Sequence, residues 1–144
     1  MTSIAVLHVG CDADALIPAP LVDTDENGWE QRCESVVRDA LDRAQEAFSS
    51  FGGDGGRIIF VMPSLSLVGA VGLVPLTTAL EGVRALAKSA ARQWADHGIT
   101  VNCVVGDIEL RDEIAGVVGF LAGDAGGAIN GQTIVVDGGS VMLP

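Results

Sequence analysis

The side chains best suited to acid–base chemistry in this chain are its two histidines, because the 144 residues include no tyrosine and Lys88 is the only lysine. Imidazole is the one side chain whose ordinary pKa lies between about 5 and 8. His8 follows an apolar run, and His97 precedes Gly98 where a helix is expected to end. We interpret His97 as a helix-terminal residue. A structural role is favoured for His8, with an acid or base role left open.

The candidate nucleophiles and metal ligands are poorly grouped in the sequence. Cys11, Cys33 and Cys103 are odd in number and widely spaced, so we predict reduced and mostly buried thiols with no metal site. Ser64 and Ser66 have no base nearby in the sequence and are predicted to form ordinary hydrogen bonds at the end of a strand. Two acidic groups are expected to be solvated helix starts rather than metal ligands: Asp23, Asp25 and Glu26, and Asp107, Glu109, Asp112 and Glu113.

The composition excludes several classes of partner. The formal net charge of −11 would repel a nucleic-acid backbone. No apolar run approaches the roughly 18 residues that span a bilayer, and the start MTSIAVLHVG lacks a basic leader region. We therefore expect a cytoplasmic protein with no membrane and no nucleic-acid partner.

The elements that must position these residues follow from periodicity. Short apolar, β-branched runs predict strands at 3–10, 57–62, 99–105 and 132–137. Apolar spacing of three and four residues predicts helices at 28–50, 75–97 and 110–122, and Asp23 to Glu26 has the spacing of a capping box.

This order, βαβαβαβ, predicts an α/β fold in a single domain over residues 1–144. We expect a Rossmann-like parallel sheet of about four strands, joined by right-handed crossovers, with helices on both faces. The first strand, 3–10, is expected to be buried on both faces. The glycines of GGDGG at 52–56 precede a strand, whereas a dinucleotide site needs them after one.

Three stretches of the second half resemble the short-chain dehydrogenase/reductase family. They are GRIIFVMPS, LTTALEGVRALAKSAARQWADHGITVN and the closing FLAGDAGGAINGQTIVVDGG. The resemblance runs from about residue 3 to the end and covers the C-terminal half of the family's fold. The family's first three strands, with the glycine-rich turn that seats the nicotinamide dinucleotide, find no counterpart, so the chain resembles an N-terminally truncated member.

The resemblance also implies that the family's catalytic groups are replaced. The position of the family's substrate-binding Ser falls on Pro63, that of its Tyr on Leu76 and that of its Lys on Leu80, while its relay Asn falls on or near Val36. A phenol with a pKa near 10 needs a neighbouring cation to act near neutral pH. We therefore predict no catalytic and no cofactor-binding residue in this chain, with NAD(P) possible only in an active partner subunit. The segment that folds over the substrate is also short here.

What the resemblance retains is the part through which the family's subunits associate: the fourth and fifth helices, and the last helix and strand. The 75–97 helix has an apolar arc wider than one sheet face needs. The predicted association surface is Trp29, Val36, Val37, Ala40, Leu80, Val83, Ala87, Ala90 and Val136.

Three hypotheses about function follow. The first is a catalytically inactive subunit that associates with a full-length, active dehydrogenase or ketoreductase, or with itself. The second is a divergent oxidoreductase or ligand-binding protein for a carbonyl or hydroxyl compound, such as a hydroxyacyl thioester or a steroid, in a crevice at Cys11, Pro63 and Gly106 with His8 as acid or base. The third is a gene fragment that folds poorly.

Overall fold

A computed structural model describes residues 2–11, 24–107 and 109–142 of the chain. Its strands are β1 (Ser3–His8), β2 (Gly56–Pro63), β3 (Ile99–Gly106) and β4 (Thr133–Val136). Its α-helices are α1 (Glu26–Trp29), α2 (Ser35–Ser50), α3 (Leu65–Val68), α4 (Val74–Gln93) and α5 (Arg111–Ala122). A π-helical turn, Glu30–Glu34, joins α1 to α2, and 3-10 turns follow α4 and α5 at Ala95–His97 and Asp124–Gly126.

The four strands form one parallel sheet in the order β1-β2-β3-β4, as the sequence predicts. In the strand register, Val6 is paired with Ile59, and Ile59 with Asn102. Residues paired in this way point their side chains to the same face of the sheet. The α/β, Rossmann-like architecture with helices on both faces is confirmed.

One face of the sheet, which we call the first face, is covered by α2 and α4. Alternate residues of β2 and β3, such as Ile58, Phe60 and Val101, enter one continuous core with Ala40 of α2 and Leu80 of α4. The small residues along α2 let this helix approach the sheet closely. Most of the buried apolar side chains among the described residues therefore lie on this side.

The opposite face, the second face, is covered by α5. Its core joins Ile59 and Val61 of β2, Val104 of β3 and Leu121 of α5. The connections advance across the sheet in one direction, yet α5 lies on the opposite side from α2 and α4. The β3–α5–β4 connection therefore has the opposite hand to the other two, and the expectation of right-handed crossovers throughout is wrong there.

The prediction that the first strand is buried on both faces is also wrong. Leu7 points into the first-face core, whereas Ile4 and Val6 on the second face are 51% and 37% exposed. The reason is that α5 packs mainly over β2 and β3. His8, on the same side as Ile4 and Val6, is exposed as well.

The helix boundaries differ from the prediction at their ends. The Oδ1 atom of Asp25 accepts a capping hydrogen bond from the backbone N–H of Gly28 at 2.7 Å; Asp23, where the predicted capping box begins, lies outside the described residues. The predicted 75–97 helix ends as an α-helix at Gln93, and a 3-10 turn completes it. Gly98 then adopts the left-handed conformation, with φ of 69°, as expected of a helix-ending glycine.

Candidate functional site

A crevice of about 740 Å³ opens at the carboxyl ends of β1, β2 and β3. His8 and Cys11 line it from the β1 side, Pro63 from β2, Gly106 from β3 and Ile114 from α5. Parallel α/β sheets bind their ligands at this end of the strands. The residues that sequence reasoning grouped into a crevice are therefore brought together in the structure.

Two groups suited to polar chemistry stand at the β1 side of the crevice. The His8 ring is exposed, and the His8 carbonyl accepts a hydrogen bond from Nη1 of Arg43 at 2.9 Å. The Cys11 sulfur lies 3.5 Å from the carbonyl oxygen of Val9 and 3.7 Å from that of Val61. These contacts fix the turn after β1 and leave the imidazole facing the crevice.

The two serines after β2 serve the backbone. Ser64 donates its backbone N–H to the carbonyl of Gly106 at 3.0 Å, which ties the ends of β2 and β3 together. Ser66 is buried, and its hydroxyl lies 3.4 Å from the carbonyl of Pro63. Among the described contacts, neither hydroxyl is hydrogen-bonded to a histidine or a carboxylate, so neither is activated as a nucleophile.

Leu76 and Leu80 lie behind the crevice wall and are buried. A Cβ placed on Gly10 would lie 3.0 Å from one methyl carbon of Leu80 and 3.1 Å from one of Leu76. The two leucines therefore pack directly on the turn after β1. They supply shape and apolar contact at that end of the sheet, without a proton donor or a charge.

Arg111 and Asp107 also line the crevice, although the sequence predicted Asp107 only as a solvated helix start and assigned no role to Arg111. Both line the opening where β3 leads into α5. The backbone N–H of Glu109 donates to Oδ1 of Asp107 at 3.3 Å, so this carboxylate is partly engaged in the turn. Arg111 is a cation in the first turn of a helix, where the dipole disfavours positive charge, and this unusual placement was the available signal.

The buried thiols of Cys33 and Cys103 are weak nucleophiles. Burial raises the pKa of Cys103 to about 12, and burial, followed by the nearby Glu34 carboxylate, raises the pKa of Cys33. A thiol whose pKa is raised holds little of the nucleophilic thiolate near neutral pH. Both residues are buried as predicted, whereas Cys11 is only partly buried.

Two further features bear on the kind of site. In the described ranges, no group of three or more His, Cys, Asp or Glu residues is placed to hold a metal ion. No helix in those ranges is both long and apolar enough to cross a membrane.

The predicted association surface divides into two parts. Five of its residues belong to the first-face core and cannot touch a partner in this conformation: Ala40, Leu80, Val83, Ala87 and Ala90. The wide apolar arc of α4 is used to pack against the sheet and α2, which corrects the prediction for these positions. Trp29, Val36, Val37 and Val136 are partly exposed, so the predicted surface is reduced to them.

Two asparagines that the sequence analysis did not single out form hydrogen bonds that hold the segment before β4 against β3 and α4. The buried Asn102 donates from Nδ2 to the carbonyl of Ile129 at 2.8 Å and accepts the N–H of Gln132 at 3.0 Å. Asn130 accepts the N–H of Val101 at 2.9 Å and donates to the carbonyl of Ala91 at 3.0 Å. A polar residue within an apolar strand, as in ITVNCVV, was the signal for this network.

Comparison with known proteins identifies the family. The family model described as short chain dehydrogenase matches residues 5–108, which is more than half of the chain. The chain therefore belongs to the short-chain dehydrogenase family, as its motifs predicted.

Curated relatives match over part of their length. The 2-dehydro-3-deoxy-D-gluconate 5-dehydrogenase of Escherichia coli (strain K12) is 26% identical over 79% of this chain and 57% of its own. The 3-oxoacyl-(acyl-carrier-protein) reductase of Staphylococcus aureus (strain N315) is 36% identical over 60% of this chain and 46% of its own. The chain thus spans about half the length of the curated relatives it matches.

Solved structures show the same fold. An acetoin dehydrogenase from Salmonella typhimurium superposes with a TM-score of 0.81 at 22% identity, over 95% of this chain and 63% of the other. An acetoin dehydrogenase from Enterobacter cloacae gives a TM-score of 0.80 at 23% identity, over 99% and 67%. At this level of identity, the likeness shows the fold alone.

Proposed function

We propose that this chain is a non-catalytic subunit that associates with a full-length, active short-chain dehydrogenase and stabilises or shapes that partner. The observation that carries the proposal is the absence of tyrosine from the whole chain, including the family-matched residues 5–108. The family's reaction depends on a phenol activated by a nearby lysine. Here, the single lysine, Lys88, lies on α4, twelve residues along the helix from Leu76.

The positions around the crevice support the same conclusion. Leu76 and Leu80 are enclosed against Gly10, so the groups in the family's Tyr and Lys positions can neither transfer a proton nor carry a charge. The GGDGG segment ends at Gly56, where β2 begins, which is the opposite end of the sheet from the crevice. GGDGG therefore lends no support to a nicotinamide dinucleotide site, and we expect the cofactor only in an active partner.

Association is supported by the partly exposed apolar side chains on the segment from α1 to α2, which packs beside α4. Trp29, Val36 and Val37 are partly exposed, and Val37 lies 3.5 Å from where a Cβ on Gly82 would stand. We call the groove between these residues and α4 the helical seam. On its α4 side, Gly82 has no side chain and Ala85 has a small, exposed one, so another helix can approach closely. We expect the active partner to contact this seam.

The proposal is tested by co-expressing the chain with full-length family members from its native cell and isolating complexes by size-exclusion chromatography with mass determination. A stable mixed oligomer is expected. Trp29→Asp and Val37→Asp are expected to weaken it at least tenfold, whereas Val71→Asp, on a fully exposed loop residue, should leave it intact. Recovery of the chain without any family member under all conditions would refute the proposal.

The crevice favours a second candidate, a protein that binds a carbonyl or hydroxyl compound such as a hydroxyacyl thioester or a steroid. Its walls include the apolar Val61, Ile114 and Val118, and His8 supplies a group able to exchange a proton. Calorimetric titration with a short hydroxyacyl thioester tests this candidate. Stoichiometric binding lost in His8→Ala and retained in His97→Ala, the chain's other histidine, would support it.

A further inference from the structure

A second cleft, of about 870 Å³, lies between the later half of α4 and the segment that leads into β4. Lys88 and Arg92 line it from α4, and Asn130, Gly131 and Gln132 line it from that segment. We call it the basic cleft, because the described residues that line it include two cations and no Asp or Glu. The chain has 19 acidic and 8 basic residues, so two cations without a carboxylate in the same cleft are an exception to its negative surface.

The two cations of the basic cleft are not neutralised by the chain itself. Arg84, one turn before Lys88 on α4, is compensated, because its Nη1 donates to both carboxylate oxygens of Glu81, at 2.9 and 2.7 Å. Lys88 and Arg92 are four residues apart and therefore neighbours on one side of the helix. No ion pair among the described residues includes either of them. Both positive charges are therefore available to a ligand.

The end of the helix explains only one of the two cations. Arg92 lies in the last turn of α4, where the helix dipole favours positive charge. Lys88 lies more than one turn before Gln93, the last residue of α4, and is beyond the reach of this effect. Burial raises the pKa of Cys103 to about 12, and the positive charges of Arg84 and Lys88 oppose this rise. Lys88 therefore holds its charge beside the apolar core, where attraction for an anion is weakened less than in open water.

The other wall of the basic cleft is held in place by hydrogen bonds. Asn130 accepts the N–H of Val101 at 2.9 Å and donates to the carbonyl of Ala91 at 3.0 Å. The Nε2 atom of Gln132 donates to the carbonyl of Asn130 at 3.1 Å. A Cβ on Gly131 would stand 3.4 Å from the Cβ of Ala91, so the lack of a side chain there leaves room at the base. The cleft is therefore formed in advance, and little ordering is needed when a ligand binds.

We propose that the basic cleft binds a phosphate group, either free or as the monoester of a small compound, with Lys88 and Arg92 holding its oxygens. A phosphate monoester carries a charge of about −1.5 to −2 near pH 7, which matches the two positive charges. The guanidinium of Arg92 can bind two oxygens at once, and the ammonium of Lys88 acts as an adaptable point charge. The volume of the cleft falls within the range of about 300–1,000 Å³ that is usual for small-molecule sites.

The first test is a titration of the purified, isotope-labelled chain, followed by two-dimensional NMR of its backbone amides. The probes are glycerol phosphate, inorganic phosphate and glycerol. We expect saturable shifts at residues 88–95 and 130–132 with the two phosphates and none with glycerol. Tighter binding of glycerol phosphate would identify the ligand as a phosphorylated compound, and equal binding would identify it as free phosphate.

Two substitutions test the cations one at a time. Lys88→Gln and Arg92→Gln each remove one charge from an exposed position on α4. Each should weaken the binding of glycerol phosphate about tenfold, because a hydrogen bond from a charged group is lost. Arg38→Gln is the matched control, because it removes the same charge from an exposed position on α2 and should change the Kd less than about twofold. The affinity of the unsubstituted chain should fall as salt is added.

Three results would overturn the assignment of this site: shifts that do not saturate, shifts of the same size in sodium chloride at matched ionic strength, or equal affinity in the unsubstituted chain and both cleft variants. The site does not depend on the proposed subunit function. Lys88 and Arg92 are not part of the helical seam, so Lys88→Gln and Arg92→Gln should still bind an active family member if that proposal holds. Trp29→Asp should weaken that association and leave phosphate binding intact, so failure of one proposal is distinguished from failure of the other.

Discussion

The two faces of the sheet are built differently. The first face is closed: α2 and α4 pack over β1, β2 and β3, and its core includes fully buried residues such as Phe60 and Val83. The second face is partly open, because α5 covers β2 and β3 and leaves Ile4 and Val6 of β1 exposed. The crevice, too, opens between the ends of the strands and α5.

This difference separates stability from interaction. Leu76 and Leu80, in the positions that resemble the family's catalytic pair, belong to the closed face and contribute packing. His8 and Arg111, which can meet a ligand, lie at the open side, whereas Trp29, Val36 and Val37 lie on the outer surface of the helices that close the first face. Substitutions in the closed core should therefore affect the free energy of unfolding, while those at the crevice or on the outer helix surface should affect binding.

The largest effect is expected from a matched pair of leucines, one in each core. Leu80→Ala should lower the free energy of unfolding by about 3–5 kcal/mol, because its neighbours are fully buried and cannot collapse into the cavity. Leu121→Ala should cost about 2–3 kcal/mol, since partly exposed neighbours on α5 can relax. Urea denaturation measures both. Equal losses in the free energy of unfolding would contradict the proposed difference between the two faces.

The next effect concerns the hydrogen bonds made by the Asn102 side chain on the second face. Asn102→Ala should lower the free energy of unfolding by about 2–4 kcal/mol, because it leaves the carbonyl of Ile129 and the N–H of Gln132 without their partner. Gln132→Ala is the control, because it removes an exposed side chain and keeps that N–H. Hydrogen exchange should locate the loss at β4. A loss spread evenly over the sheet would contradict this role.

A smaller effect is expected at alkaline pH from the thiol in the closed core. Burial raises the pKa of Cys103 from 9.0 to about 12, so the unfolded chain releases this proton at a lower pH than the folded chain does. Its contribution to stability is complete below pH 9 and declines towards pH 12, by roughly 1 kcal/mol at pH 10. Cys103→Ala should remove this part of the pH slope. An unchanged slope between pH 8 and pH 10 would argue against it.

The smallest effect is expected on the outer side of α5. Phe120 is 48% exposed although its neighbour Leu121 is fully buried. Phe120→Ala should change the free energy of unfolding by less than about 1 kcal/mol, because little burial is lost and alanine favours the helix. Thermal unfolding beside Leu121→Ala measures the difference. A loss as large as that of Leu121→Ala would mean that another chain covers Phe120.

The sequence was sufficient to predict the strands, the three long helical segments and the parallel sheet, because apolar periodicity reports directly on burial. It did not predict the π-helical turn Glu30–Glu34 within the first of these segments or the short helix α3. It failed at β1, where SIAVLH has the composition of a strand buried on both sides. Burial of Ile4 and Val6 depends on where α5 ends in space, and no local pattern contains that information. The same limit explains the opposite hand of the last connection and the use of Ala40 and Ala87 in the chain's own core.

The candidate site was predicted in outline. Strand ends converge in a parallel sheet, so the meeting of His8, Cys11, Pro63 and Gly106 could be expected from their positions in the sequence. Arg111 was not expected, because its place in the crevice depends on how α5 turns back over the sheet. The pairing of Asn102 with the segment before β4 depends on contacts 27 to 30 residues apart along the chain.

The most direct test of the central claim is a titration of the purified chain into a full-length, active short-chain dehydrogenase encoded beside it. Nicotinamide-dependent activity and the partner's melting temperature are recorded at each ratio. We expect no activity from this chain alone, and a change in the partner that saturates at a fixed stoichiometry. Turnover by the chain alone, or an unchanged partner at large excess of the chain, would contradict it.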